Sequence, residues 1–268
     1  MYSYFLSALL CGIRAKSFQA AFVVGLVSIL FAYLAGAFSP RQPQTVVVDV
    51  GMTGIRFSAA LLVLFWVQEL VTKEIERKTV YFSLAYPTSR SSYVLGRYLA
   101  ILALSAIAVA LMGASLWSVV LLKGALGGYA QQFAPLLGLP YWAAMFGIWL
   151  DAAVVAAFTL WVATLSTVSM MPIACGLAFV LAGRSLGAVI DFIRRGADGD
   201  TMLAERFGPV IDWLQWVLPD LSRLDWRAWS LYGQFPGEIM GWSIIAALGC
   251  GGFFVCLATI QFSRREFL

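Results

Sequence analysis

The chain has 268 residues, of which 61% are hydrophobic and only 12% charged; its formal net charge is +4 and it contains no histidine. Roughly 25% charged residues are usual in a globular domain, so the composition argues against a water-soluble fold and for an all-α polytopic membrane protein, read as a single transmembrane domain over residues 1–268. The missing histidine removes a Ser/His dyad, a histidine-ligated haem and a His-containing zinc site, and no G-x-x-x-x-G-K-[ST] run is present, so any ATP-driven role needs a second protein.

The first 17 residues carry Tyr2, Phe5, Leu6, Leu9, Leu10 and Ile13 at helical spacing, with Ser3, Ser7 and Arg14 opposite. That pattern predicts an amphipathic helix lying on the inner membrane surface. An apolar run over 18–38 follows and is read as the first span. It ends in Ala35-Gly36-Ala37, which resembles a signal-peptidase site; the length of the run and the patterned segment ahead of it favour a retained helix instead.

Five more stretches approach the roughly 20 apolar residues that a spanning helix needs: 54–71, 98–122, 141–166, 170–190 and 239–262. Six spans place both termini on one side. Arg14 and Lys16, the basic residues Lys73, Arg77, Lys78, Arg90 and Arg97 of the 72–97 loop, and Arg264 and Arg265 at the end all fall on that side, which is therefore expected to be cytoplasmic. The opposite side has Arg194, Arg195, Arg206, Arg223 and Arg227, but spread along the 191–238 loop and offset there by acidic residues. Of the four cysteines, Cys175, Cys250 and Cys256 fall inside expected spans, and with Cys11 they show no CxxC spacing; they are read as packing residues.

The loop at 72–97 is the most informative stretch. An arbitrary charged loop is usually a solvated connector, but here Glu74, Arg77, Lys78 and Tyr81 share one helical face beside a narrow stripe of Ile75, Thr79 and Phe82, with Glu74 and Lys78 placed for an i,i+4 pair. This predicts a short amphipathic helix lying across a helix-to-helix hairpin. Pro87 breaks it, the hydroxyls of Ser89, Ser91 and Ser92 are candidates to cap the third span, and Gly96 allows close backbone approach.

The run KEIERKTVYFSLAYPTSRSSYVLGRY resembles the first cytoplasmic loop of the permease (transmembrane) subunits of type 2 ABC (ATP-binding cassette) exporters. The residues that carry the resemblance are Glu74, Glu76, Thr79, Leu84, Pro87, Ser89, Arg90, Leu95, Gly96 and Arg97; at the last of these lysine is common in the family. The specific motif is confined to about 30 residues, although span count and loop order agree over nearly the whole chain. The resemblance implies that this loop holds a coupling helix docking into an ATPase subunit, with Glu74, Glu76, Arg77, Lys78, Thr79, Pro87, Arg90 and Gly96 as ATPase-coupling residues. It also implies that the chain binds no cofactor itself, ATP and magnesium residing on two copies of a separate P-loop ATPase, and that a second permease copy or a homologous permease completes the path.

In the 191–238 loop, FGPVIDWLQWVLPDLSRLDWRAW is rich in Trp and Leu yet interrupted by Asp212, Asp220, Arg223 and Asp225. That composition suits either a plain aromatic belt or an interfacial or re-entrant helix before the sixth span. Similar permeases place a short re-entrant helix here, and the run from Pro219 to Asp225 resembles the outer loop of a subgroup that includes members linked to copper-enzyme maturation and gliding.

Two ionisable residues are singled out within the expected spans, Asp151 in the fourth and Arg184 in the fifth. They lie equally far either side of the turn at Ser166–Ser169, so at ~1.5 Å per residue both sit ~25 Å from it. An internal ion pair, mainly structural, is the economical reading, with a substrate-contacting or coupling role as the alternative. No residue is assigned as catalytic or metal-binding.

The expectation is therefore a permease subunit that couples ATP hydrolysis on a partner to export across the cytoplasmic membrane. Two rivals stand beside it: an ABC complex that transmits ATP-driven motion to an extracytoplasmic protein without moving a solute, and an ion-coupled secondary transporter using Asp151. The lipid bilayer is a partner in every case, and no nucleic acid is expected.

Overall fold

The computed structural model describes residues 2–39, 41–77, 90–126, 131, 134–166, 168–194 and 220–264. All regular structure among them is helical. In chain order the helices are α1 (Tyr2–Arg14), α2 (Lys16–Ala37), α3 (Pro43–Val67), a π turn (Gln68–Thr72) running into α4 (Lys73–Glu76), α5 (Arg90–Leu126), α6 (Leu139–Leu165), α7 (Met171–Arg194), a 3₁₀ turn (Leu221–Leu224), α8 (Arg227–Tyr232) and α9 (Glu238–Arg264).

Among the described residues five stretches are long and apolar enough to cross a membrane: Phe18–Ala37, Pro43–Glu76, Arg90–Ala125, Leu139–Leu165 and Glu238–Arg264. The fifth expected span, 170–190, falls on α7, where the apolar stretch recorded is the shorter Met171–Gly187. Two helices begin well ahead of the apolar runs they carry: the helix holding the expected span 54–71 starts at Pro43 and the one holding 98–122 starts at Arg90. Hydropathy missed the first extension because Gln44, Asp49 and Gly51 dilute the apolar run and Gly54 follows directly. In the fold Asp49 meets an arginine from the distant chain, while the two glycines let Leu116 and Ser28 come close. Pro43 suits the first turn of α3, where its missing N–H is an orphan in any helix.

The most enclosed helix is α6, 78% buried along its apolar window against 24% for α2, so α6 forms the axis and α2 lies at the rim, packed mainly on α3. Small residues make this possible: Ala144, Ala152, Ala156, Ala157 and Ala163 are all buried on α6 and let its neighbours approach. Polar hydrogens of large side chains are tied to helix carbonyls, as expected where water is scarce. Tyr141 Oη donates to Gly113 O at 2.6 Å and Trp149 Nε1 to Leu102 O at 3.1 Å, joining α6 to α5. Phe158 stacks on Phe179 with centroids 4.1 Å apart, joining α6 to α7, and Phe254 of α9 packs edge-on against Phe158.

The N-terminal helix differs from the sequence expectation in which face it buries. Tyr4, Ala8 and Gly12 face the protein, Gly12 fitting against Leu104, and Trp66 Nε1 donates to Gly12 O at 3.2 Å. Leu6, Leu10 and Ile13 point outward. The apolar face read from 1–17 thus splits in two, because the small residues at 8 and 12 allow close contact with α5 whereas bulkier ones would hold the helix away. Among the cysteines, Cys11 and Cys256 are exposed on this chain and Cys175 and Cys250 half-buried.

Candidate functional site

Two polar clusters stand out in this apolar bundle. The first lies near the middle of α3, α6 and α7. Asp151 of α6 is fully buried, and its Oδ2 receives Arg184 Nη2 of α7 at 2.7 Å and Arg184 Nε at 3.2 Å. The same oxygen also receives Arg56 Nε of α3 at 2.8 Å. Asp151 is therefore shared between two guanidinium groups instead of forming a two-residue pair. Sequence reasoning missed Arg56 although it lies inside the expected span 54–71: two residues from the start of that span, it reads as a flank.

Arg56 reaches further. Its Nη1 meets Asp225 Oδ2 at 2.9 Å and its Nη2 donates to Leu221 O at 2.6 Å. Both acceptors belong to the segment Leu221–Tyr232, which is inserted among α3, α6, α7 and α9 and buries Leu221, Leu224, Trp226 and Leu231. Two glycines seat it: a Cβ on Gly147 would overlap the Leu224 carbonyl oxygen, and one on Gly187 would overlap Ser222 Oγ. Asp220 caps the 3₁₀ turn by accepting from Ser222 N at 3.1 Å. Gly233 ends α8 with φ 69°, the left-handed conformation that favours glycine. The part of the 191–238 loop that lies in 195–219 is outside the described residues.

From Asp225 the chain of charges continues outward. Arg227 Nη2 meets Asp225 Oδ2 at 2.7 Å, and Arg227 Nη1 meets Asp49 Oδ1 at 2.9 Å and Thr53 Oγ1 at 2.6 Å. Side-chain exposure rises along the series, from 1% at Asp151 and 11% at Arg56 to 20% at Asp225, 30% at Arg227 and 53% at Asp49. Acid and base alternate, so each charge is answered by the next. Burial pushes the Asp225 carboxyl up, but the hydrogen bonds from Arg227 and the charge of Arg56 outweigh it and hold the group below the usual carboxylate range. Burial likewise pulls Arg227 down, and Asp225 more than restores it.

The second cluster lies at the α4 end, where α3 continues without a break through the π turn. Glu74 Oε1 meets Arg97 Nη2 at 2.5 Å, and Tyr93 Oη donates to Glu74 Oε2 at 2.7 Å. Arg97 is 5% exposed and lies over the Tyr93 ring, 5.3 Å from its centroid. Its Nε and Nη1 are buried without a partner. Tyr93 is held in turn by Phe262 of α9, stacked at 5.3 Å, and by Tyr4 of α1, edge-on at 5.7 Å.

Of the expected coupling residues, Glu74 thus turns into the bundle, while Glu76 and Arg77 are exposed beyond it. Arg90 Nη1 donates to Ser263 O at 3.1 Å, joining α5 to the last turn of α9, and Gly96 is buried on α5. Lys78, Thr79 and Pro87 lie outside the described residues, as do Tyr81, Phe82 and Ser89. The π turn itself is tied across the bundle, Gln68 Nε2 donating to Ser169 Oγ at 2.8 Å in the turn between α6 and α7. A cleft of ≈ 220 Å³ opens beside it, lined by Thr72, Ile75, Glu76, Ala163, Ser166, Val168 and Ser169.

No group of three or more potential metal ligands occurs among the described residues. No protein-family model matches the chain, and no curated protein matches it significantly in sequence. What is established is the class: among the described residues all regular structure is helical, with five helices of membrane-spanning length and apolarity.

Proposed function

We propose that the chain is the permease subunit of a type 2 ABC exporter in the cytoplasmic membrane, with α7 as a sixth span and both termini in the cytoplasm. The observation that carries this reading is the joint between α4 and α5. The continuous helix Pro43–Glu76 has 34 residues, ~51 Å at ~1.5 Å per residue, against a hydrocarbon core of ~30 Å. It therefore projects well beyond the bilayer, and Glu74 clamps the projecting end to Arg97 and Tyr93 of α5. A push on Glu76 or Arg77 passes into both long helices, because neither end moves without the other. That is the mechanical requirement of a coupling element driven by a separate ATPase.

ATP and magnesium reside on two copies of that partner, which closes as a dimer and moves the 72–97 stretch; this chain performs no covalent chemistry. A second permease copy, or a homologue, supplies the other half of the path. The sharing of Asp151 between two arginines supports a structural role for that carboxylate over the proton relay that an ion-coupled transporter needs.

Purification of the native complex tests the proposal. The chain is expected to bring a P-loop ATPase with it and to transport nothing alone, and Glu76→Ala with Arg77→Ala is expected to uncouple ATP hydrolysis from transport while leaving insertion intact. ATP-independent transport by the purified chain in liposomes overturns the reading.

The inserted segment Leu221–Tyr232 favours one variant of this function. Because it reaches the Arg56–Asp151 contact from the outer side, it gives an extracytoplasmic protein a handle on the bundle, as a complex that transmits motion without moving a solute requires. ATP-driven solute uptake or release in reconstituted vesicles decides between the two.

A further inference from the structure

The helices alone do not balance their buried charge. Within α3, α6 and α7 the cluster holds Arg56 and Arg184 against the single carboxylate of Asp151, a surplus of one positive charge in a setting where an unpaired charge is costly. The inserted segment supplies the missing anion through Asp225. Yet that carboxylate carries its own counter-ion, since Arg227 Nε lies 2.8 and 2.9 Å from its two oxygens and Nη2 2.7 Å from Oδ2. The segment is neutral on its own account, and the helices reach neutrality only through the exposed Asp49 of α3, held by Arg227 Nη1 at 2.9 Å at the outer end of the series.

Arg56 holds the segment with the two ends of its fork, Nη1 on Asp225 Oδ2 and Nη2 on Leu221 O. Two adjacent oxygens facing one guanidinium is the arrangement that a bidentate oxyanion provides. Beside them, Asp151 Oδ1 is buried with no hydrogen-bond partner, an acceptor waiting for an O–H. A phosphomonoester in its monoanionic form offers both features, anionic oxygens for the fork and a P–OH for Oδ1. The position near the middle of three long apolar helices suits a headgroup that arrives on an apolar tail.

We propose that Arg56, Arg184 and Asp151 form a binding site for the anionic, hydroxyl-bearing headgroup of a membrane amphiphile, which Asp225 and the Leu221 carbonyl occupy from within the chain in the state described. As a substrate site it rests on the permease reading; as a binding site it does not.

The test is a titration of the purified full chain, without ATPase or ATP, with dioctanoyl phosphatidic acid, dioctanoyl phosphatidylcholine and inorganic phosphate, read by tryptophan fluorescence and thermal shift. Phosphatidic acid is expected to bind saturably and phosphatidylcholine not. Asp225→Asn removes the internal competitor and Gly187→Ala unseats the segment, so each is expected to tighten binding about tenfold, the scale of one charge-assisted hydrogen bond. Arg56→Gln and Arg184→Gln are each expected to weaken it at least tenfold. Equal binding of inorganic phosphate assigns the site to a free anion and overturns the amphiphile. Equal binding of phosphatidylcholine overturns the anion site, and so does unchanged affinity in both Asp225→Asn and Gly187→Ala, even if the arginine variants fail to fold. A chain that passes this test yet co-purifies with no ATPase refutes the permease reading alone.

Discussion

At the α4 end one carboxylate, Glu74, faces one guanidinium, Arg97, across two helices joined by the loop between them, whereas in mid-bundle one carboxylate, Asp151, is shared by guanidiniums from two helices and linked through a third element to the surface. Both arrangements bury an arginine in an apolar protein. The first joins two helices that are neighbours in the chain and leaves two Arg97 nitrogens without acceptors; the second passes charge outward to Asp225, Arg227 and Asp49. The Glu74–Arg97 contact clamps two neighbouring helices. An open series instead makes the fit of a distant segment depend on the charge of the core, and so links the inserted segment to three helices at once.

The strongest way to break the comparison is at its most shared member. Asp151→Asn leaves Arg184 without its carboxylate and Arg56 with Asp225 alone, and is expected to cost ~3 to 5 kcal/mol, read as a loss of thermal stability in the purified protein. Had Asp151 served Arg184 alone, removing both would restore most of the loss. Because Arg56 also depends on it, Asp151→Asn with Arg184→Gln is expected to recover only part, and full recovery in a double-mutant cycle would show that the Arg56 contact carries no energy.

At the α4 end, Glu74→Gln removes the counter-charge that Arg97 has among the described residues while keeping a polar group beside Tyr93. A loss of ~1.5 to 3 kcal/mol is expected, the range of hydrogen bonds to charged groups. Combined with Arg97→Leu, it is expected to cost less than alone, since no orphan charge remains.

A pH titration sharpens the contrast. Asp225 is held below its ordinary value of 3.8 in the fold, so its contribution to stability is fully present above that value and is lost as the pH falls through the lower folded value. Acid is therefore expected to loosen the inserted segment, followed by tryptophan fluorescence around Trp226, and Asp225→Asn is expected to flatten that part of the profile. A wild-type profile superposable on that of the variant would remove Asp225 from the account.

The smallest effect is expected at the outer end of the series. Asp49 is 53% exposed, and solvent-exposed ion pairs contribute ~0 to 1 kcal/mol, so Asp49→Asn is expected to change stability by less than ~1 kcal/mol. A loss as large as that of Asp151→Asn would mean that the series acts as one unit.

The existence of the long helices was legible in the sequence, since length and apolarity are local properties that a window of residues reports directly. Their ends were not. Pro43 to Thr53 reads as interrupted because Asp49 finds Arg227 only after the chain has folded back, and the charged stretch after Val67 continues the helix through a π turn that is tied to Ser169 of another hairpin. The face of α1 was half legible, the spacing giving a helix but not that Ala8 and Gly12 would take the protein side.

By itself the sequence determined the helical class, and counting along one hairpin was enough to set Asp151 and Arg184 at a common depth, because rise per residue is fixed by helix geometry. Only the tertiary structure decided that Arg56 joins them, that Asp225 arrives from a loop inserted into the bundle, and that Glu74 turns inward to Arg97. Those contacts bring together residues far apart in the chain on elements whose relative rotation is set by which small residues permit close packing, at Gly147 and Gly187 above all, and no local pattern encodes a rotation between helices.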